Sequence, residues 1–239
     1  MLWQIVCDFD GTIAMEDVTD SLLSRFAAPA WMDIEQEWKS GRIGSRECML
    51  RQVDLIRGEL DEIDAHLRRV AIDPAFFSFV DFCAANRVPL QVVSDGLDYS
   101  IRQILGRYGL GHLPLVANRL EFLGEGRYRL AFPYAREDCR AASGTCKCAV
   151  ARAGAADGPG VRRTLLIGDG ASDFCMATEA DMVFAKDNLL AHCQTKNLPH
   201  AAFTNFTEAR QLLSDLLFAP AKFPAFNENA ALTGVAYNG

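Results

Sequence analysis

Three short clusters contain the residues best suited to chemistry: Asp8-Phe9-Asp10-Gly11-Thr12, Ser94-Asp95-Gly96 and Gly168-Asp169-Gly170-Ala171-Ser172-Asp173, with Lys147 ahead of the third. Carboxylates can hold a hard cation or exchange protons, while a hydroxyl and an ammonium can hold anionic oxygens. Taken singly, each cluster also reads as a solvated acidic turn. Context changes that balance, because each follows an apolar run: Leu2–Cys7, Val88–Val93 and Thr164–Ile167. Such runs read as buried parallel strands, and the carboxyl ends of parallel strands form the ligand-binding edge of an open sheet.

The elements that must position these residues alternate. Weaker strand patterns lie at Met182–Ala185 and Ala202–Phe203, and 120–132 alternates around Gly124 and Gly126 as a β-hairpin does. A helix is expected from Asp73-Pro74, with Asp73 as N-cap and Pro at the first helical position, through Phe82. Others are expected over Tyr99–Arg107, Lys147–Ala156, Ser172–Glu179 and Glu208–Leu217. The alternation predicts an α/β fold, a doubly wound parallel sheet with helices on both faces. From about Glu16 to Val70 the periodicity is helical only, including Ser45–Arg57 with Ser45 as N-cap and Leu60–Val70. This stretch is too long for a simple crossover and reads as an inserted all-helical cap. The expected division is a catalytic core of 1–14 and 73–218, a cap of 15–72 and a C-terminal tail of 219–239.

The 239 residues are half hydrophobic and 23% charged, as in an ordinary soluble globular protein. A net charge of -7 leaves no basic footprint for nucleic acid or an anionic membrane. No apolar stretch is long enough to cross a bilayer, and the opening residues lack the basic start and cleavage site of a secretory signal. Cytoplasm is therefore the expected compartment. The eight cysteines read mostly as reduced thiols, with Cys7, Cys48 and Cys83 inside apolar runs. Cys139, Cys146 and Cys148 could begin a zinc site, but no fourth ligand stands at a recognised spacing, so packing or free thiols are the preferred reading.

In order and context the clusters resemble the four motifs of the haloacid dehalogenase superfamily, in its phosphatase branch. The first motif matches Asp8, Asp10 and Thr12; the second, Ser94; the third, Lys147; the fourth, Gly168-Asp169 and Asp173. The resemblance reaches from Asp8 to at least Asp187. It implies Mg²⁺ held by Asp8, the backbone carbonyl of Asp10, Asp169 and Asp173, the last directly or through water. It implies that Lys147, Ser94, Thr12 and backbone N–H groups near Asp10 and Gly96 hold phosphoryl oxygens. Asp8 would be the nucleophile, and Asp10 the acid and base that the superfamily's dehalogenases lack. Simpler readings stand beside these: Thr12 can cap a turn, Asp95 can make an Asx-turn, Lys147 can be solvated, and Asp173 can favour a helix N-terminus.

The cap resembles that of the phosphoserine phosphatase-like subgroup, and its substrate-facing candidates are Glu16, Asp17, Trp31, Met32 and Arg51. Asp17 stands where phosphoserine phosphatases carry an acid that reads the substrate amine. Gln52 stands where they carry an Arg, which makes phosphoserine an unfavoured substrate. Ala27–Met32 and Gly144–Cys148 resemble the methionine-salvage phosphatases that act on 2-hydroxy-3-keto-5-methylthiopentenyl-1-phosphate. Gly168–Cys175 resembles the phosphoethanolamine/phosphocholine phosphatases. The expected function is hydrolysis of a small phosphorylated metabolite by a monomer or homodimer. A phosphomutase with the same core residues, or a silent phosphometabolite-binding module, are the alternatives.

Overall fold

In a computed structural model, residues 2–156 and 162–223 are described. Most of the expected tail, 224–239, lies outside the described residues. In chain order the elements are β1 (Leu2–Cys7), α1 (Val18–Phe26), α2 (Trp31–Lys39), α3 (Ser45–Val53), α4 (Leu60–Leu67), α5 (Phe76–Ala85), β2 (Leu90–Leu97), α6 (Asp98–Arg107), β3 (Leu115–Gly124), β4 (Arg127–Ala131), α7 (Lys147–Ala156), β5 (Arg162–Gly168), α8 (Phe174–Ala177), β6 (Met182–Ala185), α9 (Asp187–Lys196), β7 (His200–Ala202) and α10 (Phe206–Phe218). Strands and helices alternate and the strands are mostly parallel, which is the expected α/β class. Between β1 and β2 the regular elements are all helices. No helix among the described residues is long and apolar enough to cross a membrane.

Two compact units are present: Met1–Asp8 with Ile72–Gln91 and Lys147–Gly239, and Phe9–Ala71 with Val92–Cys146. In the first, β1, β5, β6 and β7 are hydrogen-bonded neighbours in that order. All pairings are parallel, from Leu2 opposite Arg162 to Cys7 opposite Ile167, and from Leu165 opposite Met182 to Gly168 opposite Ala185. The β1 side chains after Leu2 are buried without alternation, as a strand covered on both faces requires. Phe76 and Phe79 of α5 meet Phe206 of α10 edge-on, with ring centroids 4.7 and 5.1 Å apart, and Phe203 joins at 6.1 Å. Edge-to-face aromatic packing of this kind adds to simple burial.

In the second unit, β2 pairs with β3 in parallel, Val92 opposite Leu115 and Val93 opposite Val116, before a register shift between Val93 and Leu97. That irregular stretch contains Ser94-Asp95-Gly96. β3 then turns antiparallel to β4 through Gly124-Glu125-Gly126, which is the expected hairpin. Helix α2 packs on α3, α4 on α1 and α6, and α3 against β4. Phe122 lies edge-on to Tyr99 and Tyr128, at 5.1 and 5.3 Å.

Several element boundaries differ from expectation for local physical reasons. Asp73 is not the N-cap of α5, which begins at Phe76 after Ala75. Its carboxylate instead accepts the N–H groups of Ala75 at 2.8 Å and Phe206 at 2.7 Å, tying the starts of α5 and α10 together. Ser45 is the first residue of α3 rather than its cap, because extended Gly44 precedes it and its hydroxyl bonds Asp95. Helix α3 stops at Val53, and Arg57 donates its N–H to the Phe26 carbonyl. Strand β2 does not stop at Val93 but continues to Leu97. The expected Ser172–Glu179 helix is a 3₁₀ turn, Ala171–Asp173, followed by the single turn of α8.

Candidate functional site

The β1–β5 register decides what meets at the strand ends of the first unit. With Cys7 opposite Ile167, the chain leaves both strands at one edge, and the Asp8 N–H is held by the Ile167 carbonyl at 2.9 Å. Asp8, Asp169 and Asp173 each bring one carboxylate oxygen within 4.8 Å of the others. Lys147, the first residue of α7, donates to Asp8 Oδ2 at 2.8 Å and to Asp173 Oδ1 at 2.6 Å. All three of these side chains are buried. Gly168 is the last residue of β5, and a Cβ there would lie 2.6 Å from Asp173 Cγ, so only glycine lets that carboxylate in.

The electrostatics of this cluster are one-sided. Burial works against the Lys147 charge, but Asp173 and Asp8 outweigh it and keep the ammonium protonated beyond the ordinary lysine range. Burial, and then the Asp8 charge, push the Asp173 carboxyl well up, against the pull of Lys147. These two tendencies compete, and the 2.6 Å contact favours the ionised pair. Three carboxyl groups, two of them buried, stand against one buried ammonium and crowd negative charge together. A hard divalent cation with oxygen ligands would offset that charge, so the donor set fits such an ion.

The second unit holds the other half of the sequence-derived set. Asp10 Oδ1 accepts the N–H of Val18, the first residue of α1, at 3.0 Å. Its Oδ2 accepts the Ser94 hydroxyl at 3.3 Å, and Ser94 Oγ in turn accepts the Gly96 N–H at 2.9 Å. Asp10 and Ser94, far apart in sequence, are thus brought together. Gly11 has φ of 64° and donates to the Glu16 carbonyl at 3.1 Å, a left-handed turn that suits glycine directly after Asp10. Thr12 is buried with its N–H on the Phe9 carbonyl at 3.2 Å.

Comparison with known proteins matches residues 5–178 to the haloacid dehalogenase-like hydrolase family. The chain belongs to that family. A relative from Brevibacillus brevis named 2-hydroxy-3-keto-5-methylthiopentenyl-1-phosphate phosphatase is 30% identical over 215 residues, covering 89% of this chain and 95% of the relative. One from Geobacillus kaustophilus with the same name is 34% identical over 206 residues, covering 84% and 91%. Among solved structures, a substrate-bound phosphoserine phosphatase complex aligns with a TM-score of 0.67 at 18% identity, over 90% of this chain and 98% of that one. A phospho-aspartyl intermediate analogue of phosphoserine phosphatase gives 0.66 at 19% identity, over 89% and 98%. At such identities the likeness concerns the fold.

Within this haloacid dehalogenase-like chain the remaining candidates spread out. Asp17 is the N-cap of α1, accepting the Asp20 N–H at 2.8 Å. Glu16 and Met32 are exposed, and Trp31 opens α2. Arg51 reaches Glu37 at 2.9 Å and Glu47 at 3.6 Å, in an ion-paired position on α3. Gln52 is buried and donates to Glu35 at 2.9 Å and to the Trp31 carbonyl at 3.4 Å. Ser172 was given no role by sequence reasoning, yet its hydroxyl lies 3.2 Å from Lys147 Nζ and 3.3 Å from Asp8 Oδ2. The signal was its place beside Asp173 in the fourth motif. Among the described residues, Cys139, Cys146 and Cys148 are not among the groups that could hold a metal ion. Cys139 Sγ lies 3.1 Å from Ser143 Oγ, whereas Cys148 Sγ lies 3.6 Å from Cys175 Sγ.

Proposed function

We propose that this protein is a Mg²⁺-dependent phosphatase that hydrolyses a small phosphate monoester through a phospho-aspartate on Asp8. The observation that carries the reading is the grouping of the buried Asp8 and Asp173 with the half-buried Asp169 at the ends of β1 and β5, with the buried Lys147 at the start of α7 bonded to Asp8 and Asp173. Asp8, Asp169 and Asp173, with the Asp10 carbonyl, would hold Mg²⁺, which when bound shields the nucleophile from an anionic substrate and polarises the transferring group. Lys147, Ser94, Thr12 and the Gly96 N–H are assigned to the phosphoryl oxygens. Placed donors of this kind supply most of the catalysis in phosphoryl transfer.

The Asp8 carboxylate attacks phosphorus as the ester P–O bond breaks, and Asp10, two residues on, gives its proton to the departing alkoxide. The Asp10 carboxylate then takes a proton from water. That water attacks phosphorus, the bond to Asp8 breaks, and inorganic phosphate leaves with both aspartates restored. Residues 15–72 are assigned the part of a cap that selects the leaving group, with Glu16, Asp17, Trp31, Met32 and Arg51 as candidates.

For the substrate, identity of 30–34% over most of the chain to phosphatases named for 2-hydroxy-3-keto-5-methylthiopentenyl-1-phosphate supports that compound. The test is phosphate release from a panel with and without Mg²⁺. The panel contains that intermediate generated in situ, phosphoserine, phosphoethanolamine, phosphocholine and pyridoxal phosphate, with Asp8→Asn run alongside. Metal-dependent release, fastest on the methylthio compound and absent in Asp8→Asn, is expected. Faster release from phosphoethanolamine or phosphocholine would reject the substrate assignment and keep the mechanism.

A further inference from the structure

Asp95 takes part in none of the steps above, yet it is among the most densely bonded carboxylates of the second unit. It follows Ser94 in the irregular part of β2 and is buried. Its Oδ1 accepts the Thr145 N–H at 2.8 Å and the Asn118 amide at 3.0 Å, and the Ser45 hydroxyl donates to Oδ2. Asn118 Nδ2 also donates to the Asp95 backbone carbonyl, while Asn118 Oδ1 accepts the Thr145 hydroxyl at 3.0 Å. Asn118 and Thr145 are 0% and 1% exposed, so the bonds among Asp95, Asn118 and Thr145 are shielded from competing water, while the Ser45 bond is partly buried. A Cβ on Gly144 would come within 2.5 Å of Asn118 Oδ1 and of the Phe132 ring, so the loop lies directly against the amide.

The covalent neighbours give this network its significance. Asp95 adjoins Ser94 on one side and Gly96 on the other, and Thr145 stands two residues before Lys147. A carboxylate buried among apolar elements is costly unless its lone pairs are satisfied, and one so fully satisfied fixes its partners to a single geometry. We propose that Asp95 and Asn118 are positioning residues for phosphoryl recognition: they hold the strand end that carries Ser94 and Gly96 to Thr145, in the loop that precedes Lys147 in sequence. Ser45 fastens the first turn of α3 to the same carboxylate. The inference rests on the phosphatase reading, because positioning matters only if Ser94 and Lys147 hold the phosphoryl group.

The experiment measures kcat/KM on p-nitrophenyl phosphate and the inhibition constant for inorganic phosphate, at 25 °C with saturating Mg²⁺, in full-length Asp95→Asn, Asn118→Ala, Thr145→Val and Thr145→Ser. Misplacement of about 1 Å costs roughly 100-fold, so Asp95→Asn and Asn118→Ala are expected to lose about 10- to 100-fold in both quantities. Thr145→Val, which keeps the backbone bond and loses the hydroxyl, should lose less, and Thr145→Ser should match the parent. A purely structural network would lower the melting temperature and leave phosphate affinity at 25 °C unchanged. That result in a folded Asp95→Asn protein overturns the proposal. If Asp95→Asn does not fold, unchanged phosphate affinity in Thr145→Val overturns it instead. Asp8→Asn is the control: if it still releases phosphate, the catalytic reading fails, whereas a dead Asp8→Asn beside a fully active Asp95→Asn rejects positioning alone.

Discussion

Two aspartates separated by one residue have different hydrogen-bond and ion-pair partners here, and the proposed mechanism gives them different tasks. Asp8 lies against the Lys147 ammonium at 2.8 Å, and the proposal makes its carboxylate the nucleophile. Asp10 accepts a backbone N–H and a serine hydroxyl, and the proposal gives it the proton that the leaving group needs. Asp8→Asn should therefore lower kcat below about 10⁻³ of the parent while the melting temperature changes little, since it swaps near-isosteres; activity assays beside thermal melts check both halves. Asp10→Asn should slow alkyl phosphates by about 10²–10⁴-fold, the usual range for general acid–base catalysis, and p-nitrophenyl phosphate less, since its leaving group needs little protonation. Equal losses on both substrates would remove Asp10 from the acid role.

At the scale of elements, the exit of β5 is the tightest constraint. Gly168 ends the strand where Asp173 turns back against it, and a methyl group would fall 2.6 Å from the Asp173 Cγ. Gly168→Ala should thus push Asp173 away from Lys147, destabilise by about 1–3 kcal/mol as overpacked sites do, and raise the Mg²⁺ concentration needed for half-maximal activity. A variant with parental melting temperature and metal dependence would show that Asp173 adapts freely. Gly168, Asp169 and Asp173 were legible because the acidic loop follows an apolar run. Their neighbour Ser172 was not singled out, because nothing local tells which hydroxyl of a turn faces a lysine 25 positions earlier. The same limit explains Ser45 and Asp73. Each has a residue type and spacing that suit a helix cap, but each bonds a partner brought in by tertiary structure, Asp95 and Phe206. Strand β2 reads as ending at Val93 because Ser94-Asp95-Gly96 has weak strand propensity, and the ladder to β3 is indeed irregular there, resuming only at Leu97 opposite Asn118. The sequence places Cys193 in a helical pattern but does not bound helix α9, since its buried residues, Leu189 and Cys193, are too few to mark a helical stripe.

At the scale of the whole molecule, a chain of net charge -7 gathers three carboxylates around one lysine, all within a single compact unit. Such a cluster opposes folding by self-repulsion until a cation offsets it, so metal binding and stability should be linked. A ligand that binds only the folded state stabilises by about 2.7 kcal/mol at a hundredfold excess over its dissociation constant. Melting of the unit made by Met1–Asp8, Ile72–Gln91 and Lys147–Gly239 should accordingly rise by about 5–10 °C when Mg²⁺ is added to chelator-treated protein. Asp169→Asn separates this from a general salt effect through two opposite signs. It removes one negative charge from the crowded cluster, so the metal-free variant should melt at or above the metal-free parent. It also removes a ligand, so most of the Mg²⁺-dependent rise should disappear. Calorimetry on both proteins, with matched KCl in place of MgCl₂ as reference, reads the two effects together. An equal rise in parent and variant would mean that Mg²⁺ acts elsewhere on this acidic surface, and the three-carboxylate centre would then have to be given up as the metal site.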